Sequence, residues 1–395
     1  MKDEAPQVVF LIDGKPVTDQ LLSHRLPTGL SSETPEIRYE DYFCALRAAL
    51  GQGSWEPLRH SLAELIGEWA RSGQIRRVSV DSVKHGALYD VAKVTVRGDA
   101  GTYALAVNSA RDPRRHGDLE REWNTLRSLA RTPAAPYLPR GLYRGSGLWR
   151  DVRDEERPFR FFLAPWFEGF HEWHMEKGGD GTAQGVRVWD ESPSGRVLSD
   201  AQACCLLEQA AYVLTLALDR EGFRHIYPWH HAAGDFILCL QDQKVAVRLI
   251  SARNQTVFIA PGPQRHERLS AVTAFFFALT FRLRLDRDQG TGDFVWAPSR
   301  WLGAAVKGFL RGWEDGKVST EPLSTEEILT AFQSFDVADW ETVGRLLEED
   351  LVVDAEEGSV VSHRIPEHAR DLSQLFAREL ATLTSRAVPA THDRG

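Results

Sequence analysis

The sequence lacks the short motifs that identify many enzyme families. It has no Gly-Lys-Ser/Thr phosphate-binding loop, because Gly14-Lys15 is followed by Pro16 and Gly316-Lys317 is followed by Val318. The paired-glycine dinucleotide loop, the His-Glu-x-x-His zinc helix and the Gly-x-Ser-x-Gly nucleophile elbow are also absent. These absences weaken, without excluding, the dehydrogenase, zinc-protease and hydrolase interpretations.

Cysteine is sparse. No pair among Cys44, Cys204, Cys205 and Cys239 has the two-residue gap of a zinc site or a redox motif. Free cysteines are among the most buried residue types. We therefore expect reduced, mostly buried thiols in a cytoplasmic protein.

Long apolar runs and a basic excess are absent as well. The longest apolar stretch, Ala271 to Phe281, is too short to span a bilayer and is followed by Arg282. The N-terminus carries acids before a short apolar run and no small-residue cleavage site, so we do not expect a signal peptide. A net charge of -9 argues against nucleic acid as a partner. We expect neither nucleic acid nor a membrane among its partners.

Hydrophobic residues make up 43% of the 395 residues, enough to bury a large core without disulfides. Residues 1–74 predict a short strand and two helices, at Tyr39–Leu50 and Trp55–Arg71. Residues 75–165 predict an antiparallel three-stranded meander, a helix and two more strands. The predicted spans are Arg77–Ser82, Leu88–Val96, Thr102–Asn108, the helix Gly117–Arg131, Gly141–Trp149 and Phe159–Ala164.

The second half begins with a loop-rich stretch, Lys177 to Gly195, and continues with a helix at Asp200–Glu221 that is apolar nearly all round. A His-rich loop and two short strands, Phe236–Leu240 and Val245–Ser251, follow. The remainder is mostly helical. The predicted helices are Arg265–Leu285, Ser299–Trp313, Thr325–Phe335, Trp340–Asp350 and Pro366–Arg386, with a disordered tail at 387–395.

This element order resembles the protein-kinase-like fold superfamily, with the aminoglycoside phosphotransferase-like and pseudokinase-like branches the most similar. The resemblance covers about Arg77 to Trp313. It implies an α+β, two-lobed fold with a five-stranded antiparallel small lobe at 75–165 and a mainly helical lobe at 166–320. Residues 1–74 and 321–386 would be helical extensions.

The resemblance assigns positions in the small lobe. The turn that should be glycine-rich, Lys84 to Tyr89, contains only Gly86, and Asn108 stands where a phosphate-gripping lysine is expected. Lys93 lies on the preceding strand, where an exposed lysine is the simpler interpretation. Glu122, or its neighbour Glu120, would be the glutamate that pairs with that lysine, and a solvated helix face is the alternative.

In the helical lobe, His230 stands at the position of the catalytic base and Asp235 at that of a metal-binding asparagine. Ser251 replaces the second metal carboxylate. Trp166 begins an aromatic strip, running to His174, on which an adenine would stack, unless these rings only pack between lobes. The expected catalytic residues are therefore His230 and Asp235, the metal ligand is Asp235, and the nucleotide contacts are Gly86, Asn108, Glu122, Trp166 and Ser251.

Without the lysine, the base and one metal carboxylate, ordinary phosphoryl transfer is disfavoured. The leading hypothesis is a kinase-like protein with a degenerate active site, acting as a regulatory or nucleotide-binding module with ATP and a divalent cation as candidate cofactors. Two alternatives stay open. One is a divergent ATP-dependent phosphotransferase, or another transferase, acting on a small molecule through Asp235 and His230. The other is a protein-interaction scaffold without a ligand.

Two further clusters have open roles. His225, His230 and His231, near Asp235, are structural, metal-binding or catalytic, and their spacing matches no defined metal motif. The basic residues Arg111, Arg114, Arg115 and His116 form either a solvated loop or a contact for an anionic ligand or partner.

Overall fold

The structure is a computed structural model that divides into two compact units. One unit comprises Met1–Ala130 with Pro139–Glu168, and the other comprises Arg131–Leu138 with Gly169–Gly395. The described residues are 5–27, 36–71, 73–86, 88–99, 101–179, 181–190, 192, 194–229, 234–241, 244–316 and 323–378. The predicted tail at 387–395 lies outside them.

The first unit combines strands and helices that alternate along the chain. Its strands are β1 Gln7–Ile12, β2 Lys15–Pro16, β3 Ile75–His85, β4 Asp90–Gly98, β5 Gly101–Ala110, β6 Tyr143–Arg150 and β7 Glu156–Pro165. Its α-helices are α1 Asp19–Leu22, α2 Tyr39–Leu50, α3 Gln52–Ile66 and α4 His116–Leu129.

These strands form one mixed sheet in the order β2-β1-β3-β4-β5-β7-β6. The predicted antiparallel meander β3-β4-β5 is confirmed. The predicted five-stranded, fully antiparallel sheet is wrong, because the N-terminal hairpin joins it and β1 runs parallel to β3. Gly14, in the turn of the β1–β2 hairpin, has a φ of 74° and donates its N–H to the Asp81 carboxylate at 3.0 Å. This bond attaches the hairpin to β3.

Both faces of the mixed sheet carry helices. The main core packs α2 and α3 against one face, where Val94, Leu105 and Phe161 are almost fully buried. Side chains alternate between faces along a strand, so Phe162 points the other way and meets Trp123 of α4, with ring centroids 6.0 Å apart.

The second unit contains short strands and the longer helices of the chain. Its strands are β8 His171–Lys177, β9 Ala183–Val188, β10 Arg196–Val197, β11 His225–Ile226, β12 Phe236–Gln241, β13 Lys244–Leu249, β14 Gln255–Thr256, β15 Leu285–Arg287 and β16 Phe294–Trp296. Its α-helices are α5 Asp200–Leu216, α6 Arg265–Arg282, α7 Ser299–Asp315, α8 Thr325–Ser334, α9 Val337–Leu346, α10 Glu348–Leu351 and α11 Gly358–Arg378.

An antiparallel sheet of order β10-β9-β8-β12-β13 lies in this unit. The predicted hairpin β12–β13 is confirmed. The loop predicted for 177–195 is wrong, because β9 lies within it and pairs with β8. The β8 sequence HEWHMEK is poor in strand-forming residues, so pairing with its neighbours decides its conformation. The predicted mainly helical large lobe therefore contains more strand than expected.

Helices α5 and α7 approach closely because α7 presents glycines to α5. A Cβ at Gly308 would collide with the Glu208 carbonyl oxygen and lie 2.9 Å from the Ala211 Cβ. A Cβ at Gly312 would lie 2.9 Å from the Tyr212 carbonyl oxygen. The helix predicted at Asp200–Glu221 is confirmed as α5, which is mostly buried and ends at Leu216.

No helix in the described part of the chain is both long enough and apolar enough to cross a membrane. The α+β class is established. The two-lobed kinase-like architecture stays a prediction, since it depends on element order alone.

The glycine contact predicts a specific packing defect. We expect Gly308→Ala to lower the free energy of unfolding by about 1–3 kcal/mol, because the added methyl group has no room beside α5. Gly358→Ala is the matched control, since a Cβ there meets no atom within 4 Å and alanine favours the helix. Urea unfolding followed by circular dichroism measures both. Equal stability of the two variants would contradict the packing account.

Candidate functional site

Asp235 immediately precedes β12 and is 2% exposed. Its carboxylate accepts hydrogen bonds from Arg253, at 2.5 Å from Nη2 and 3.3 Å from Nη1. Its backbone carbonyl accepts the N–H of Ile250 at 2.8 Å. The side chain expected to hold a cation is therefore neutralised by an arginine from just beyond the neighbouring strand β13.

Ser251 is half-buried between the end of β13 and Arg253. The structure thus brings Asp235 and Ser251 to the same end of the β12–β13 hairpin, because Asp235 directly precedes β12 and Ser251 follows β13 by two residues. His230 and His231 lie outside the described residues. Within the described part of the chain, no group of three His, Cys, Asp or Glu side chains is placed to hold a metal ion.

His225 is a buried aromatic-packing residue. Its Nδ1 donates to the Phe223 carbonyl at 3.2 Å, and its ring centroid lies 4.4 Å from that of Phe258 and 5.2 Å from that of Phe275. Burial lowers the pKa of His225 to about 4. The geometry favours the structural interpretation for this histidine.

In the first unit, Asn108 and Lys93 share one face of the mixed sheet. Lys93 pairs with Ala106 across β4 and β5, and Asn108 lies two positions beyond Ala106 on the same face. The Lys93 Nζ lies 5.4 Å from the centroid of the Trp166 ring and 2.8 Å from the Glu168 carboxylate. A cation and an aromatic ring therefore meet near Asn108, the position at which the kinase resemblance predicts a lysine.

Lys93 is the functional candidate that the sequence interpretation undervalued. An exposed strand lysine was the simpler expectation, but the side chain is only 25% exposed. The register of the predicted β4–β5 hairpin could have indicated the position of Lys93. It places Lys93 directly across from Ala106, two residues before Asn108.

The remaining predicted nucleotide contacts are Glu122 and Gly86, and they differ in how far they are buried. Glu122 is 3% exposed on the packing face of α4, whereas Glu120 is exposed and binds Arg144 and Arg160. Gly86 ends the β3 side of the β3–β4 turn, where its N–H donates to the Tyr89 carbonyl at 2.9 Å.

A buried polar network beside that turn was not predicted. Ser82 Oγ lies 2.9 Å from His85 Nε2, and His85 Nδ1 lies 2.7 Å from Asp90. Asp90 is also bound by Arg111, with Nη2 at 3.0 Å. The Ser-His-Asp order resembles a hydrolase triad, but Ser82 is 2% exposed and Arg111 already neutralises Asp90. The network therefore ties the β3–β4 turn to the end of β5.

The predicted basic patch after β5 is largely neutralised. Arg111 binds Asp90, Arg114 binds Asp112, and Arg115 binds Asp118. The hydrogen bonds from Arg114 lower the pKa of Asp112, so its carboxylate stays charged beside the arginine.

No protein-family model matches the chain, and a search of the curated proteins finds no significant match. Function is therefore inferred from the side chains and their contacts.

The Asp235–Arg253 pair predicts a stability effect. We expect Arg253→Met to lower the free energy of unfolding by about 2–3 kcal/mol, because the Asp235 carboxylate would stay buried without its guanidinium partner. Adding Asp235→Asn should restore part of that loss. Arg224→Met is the control, since its bond to Asp219 is surface-exposed and worth about 0–1 kcal/mol. Urea unfolding tests this, and a loss equal to that of the control would contradict it.

His225 predicts acid sensitivity. Because the pKa is lowered to about 4 in the folded protein, the unfolded chain binds a proton first as the pH falls below about 6.5. This contribution to stability is present above about pH 6.5 and is lost towards pH 4. We expect a loss of about 2 kcal/mol between pH 7 and pH 5.

Urea titrations across this pH range measure the slope. His225→Gln should reduce the slope and leave the part due to His368, whose pKa is also lowered by burial, and the exposed His266→Gln should leave the slope unchanged. The same slope in wild type and His225→Gln would remove His225 as its cause.

Proposed function

We propose that the chain is a kinase-like regulatory module that binds an adenine nucleotide and does not transfer its phosphoryl group. The observation that carries this proposal is the ion pair, 2.5 Å long, between the buried Asp235 and the half-buried Arg253. Phosphoryl transfer relies on carboxylates that hold divalent cations against the phosphates. A carboxylate already bonded to an arginine is a poor cation ligand, because the cation would be repelled by the guanidinium or would have to displace it.

Support for nucleotide binding comes from the first unit. Trp166 offers a half-buried indole for stacking, and Lys93 offers a cation beside it. Ala106 is small and half-buried on the same sheet face, so an aromatic base meets little steric hindrance there. Stacking on an aromatic side chain contributes about 1–3 kcal/mol per base.

Lys93 can exchange its partner at small cost. Its contact with Glu168 involves a carboxylate that is 64% exposed, and such surface pairs contribute about 0–1 kcal/mol. A phosphate oxygen would therefore replace Glu168 with little loss. This lysine takes the role that Asn108 cannot fill, since an amide carries no charge.

The two alternatives make different demands. The transferase hypothesis requires Asp235 to leave Arg253 and bind a cation, with His230 as base. The scaffold hypothesis requires no nucleotide at all. Affinity and turnover measured on the same protein separate all three.

We expect ATP and ADP to raise the melting temperature equally well with magnesium, with manganese and with a chelator, because the proposed contacts need no cation. Lys93→Ala and Trp166→Leu should each weaken binding about tenfold, a loss of about 1.4 kcal/mol. Lys307→Ala is the matched control, since it removes another lysine from an exposed ion pair. Calorimetric titration gives the affinities.

Phosphate release should equal the background rate. Magnesium-dependent turnover that disappears in Asp235→Ala while the fold survives would replace the proposal with the transferase hypothesis. Absence of binding under every condition would leave the scaffold hypothesis.

A further inference from the structure

The strand β6 forms an open edge of the mixed sheet. In the described part of the chain it pairs only with β7, along Tyr143–Arg150. Alternate residues of an edge strand direct their N–H and C=O groups away from the sheet, where another strand can bind them. An edge of eight residues is long enough for several such bonds.

The other edges of the two large sheets in the described chain are protected. The edge strand β2 has two residues and contains Pro16, and β10 also has two residues. The edge of β13 is closed by the amide of Gln209, which donates to the Val245 carbonyl at 2.5 Å and accepts from the Val247 N–H at 3.1 Å. Short strands, proline and covering groups are the usual protections against strand addition. Strand β6 is eight residues long, contains no proline, and within the described residues has no side chain bonded to its free edge; its charged residues are Arg144 and Arg150.

The glycines of β6 have a packing reason. A Cβ at Gly145 would lie 2.7 Å from the Phe161 ring, and one at Gly147 would lie 2.5 Å from the Phe159 ring. These rings lie on the core face of the sheet. The opposite face of β6 carries polar side chains and Leu148, which is 57% exposed.

An open groove of about 400 Å³ lies beside this edge. The residues that line it are Leu119, Glu120, Arg144, Gly145, Ser146 and Arg160. Glu120 accepts a hydrogen bond from Arg144 at 2.9 Å and another from Arg160 at 3.0 Å. One carboxylate thus serves two guanidinium groups.

A second acid with two arginine partners lies two residues earlier on α4, outside the residues that line the groove. Asp118 accepts from Arg115, at 3.4 Å, and from Arg121. Within the groove, Arg144 and Arg160 face the single carboxylate of Glu120, a formal local charge of +1 on a chain whose net charge is -9. Burial first, and then the charge of Arg160, lower the pKa of His116, in keeping with a positive potential around the groove.

We propose that the edge of β6 and this groove bind an extended, acidic segment of a partner protein. The backbone of that segment would add a strand to β6. Its carboxylates, at alternate positions, would reach the groove and take the bonds of Arg144 and Arg160 that Glu120 cannot fully satisfy. The charge imbalance selects an acidic occupant over a neutral or basic one.

Fluorescence anisotropy with a labelled peptide of alternating Glu and Val tests this proposal. We expect the peptide to bind at least about tenfold more tightly than its Gln and Val counterpart and to weaken at high salt. The double variant Arg144→Ala/Arg160→Ala should abolish that preference, and Glu120→Gln should strengthen binding. Arg76→Ala is the matched control, an exposed, ion-paired arginine in the same unit that does not line the groove.

A second peptide, N-methylated at alternate residues, isolates the strand pairing. It keeps the carboxylates but loses backbone donors, so we expect its affinity to fall about tenfold or more. Unchanged affinity would overturn the strand addition. An acidic peptide that binds no better than the neutral one, or that binds the folded double variant normally, would overturn the site. Competition by inorganic phosphate alone at matching affinity would assign the arginines to small anions and overturn the peptide proposal.

Discussion

A buried charge must have a partner, and this constraint organises both units. Asp90 is paired with Arg111 in the first unit, and Asp235 with Arg253 in the second. Arg282 and Glu357 are both almost fully buried and are bonded to each other at 2.7 Å. In each pair the buried acid has a cationic partner, because an isolated ion inside a protein would cost several kcal/mol. Each pair also joins two segments that are not neighbours along the chain. The same requirement that stabilises the fold also removes Asp235 from easy use as a cation ligand.

Sequence periodicity predicts much of the fold. The helix predicted at Tyr39–Leu50 is α2 with the same bounds, because its apolar residues recur at three- and four-residue spacing. The strand β8 was not predicted, since HEWHMEK has no β-branched residue and only Trp173 and Met175 alternate with polar neighbours. The parallel pairing of β1 with β3 was missed for another reason. It depends on which sheet edge is available, and no local pattern encodes that.

The candidate site also has features that the sequence pattern predicts and features that depend on the folded chain. The adjacency of Asp235 and Ser251 follows from the hairpin that the sequence predicts. The pairing of Asp235 with Arg253 does not, because Arg253 lies four residues beyond the end of β13, where strand register no longer fixes the path of the chain. That Asp90 needs a cationic partner could have been predicted from the sequence. This residue stands in the alternating buried series with Ala92, Val94 and Val96, so an acid on the buried face of β4 required a cationic partner.

The glycine-mediated contact of α5 with α7 has a consequence for synthesis of the chain. Glu208 and Lys307 meet across it although 99 positions separate them. During translation, α5 therefore leaves the ribosome long before α7 exists to cover it. Its many apolar side chains, including Leu206, Leu207 and Val213, stay exposed for that interval. A helix left uncovered in this way is prone to aggregation until α7 arrives, and assembly is slowed by the long loop that must close.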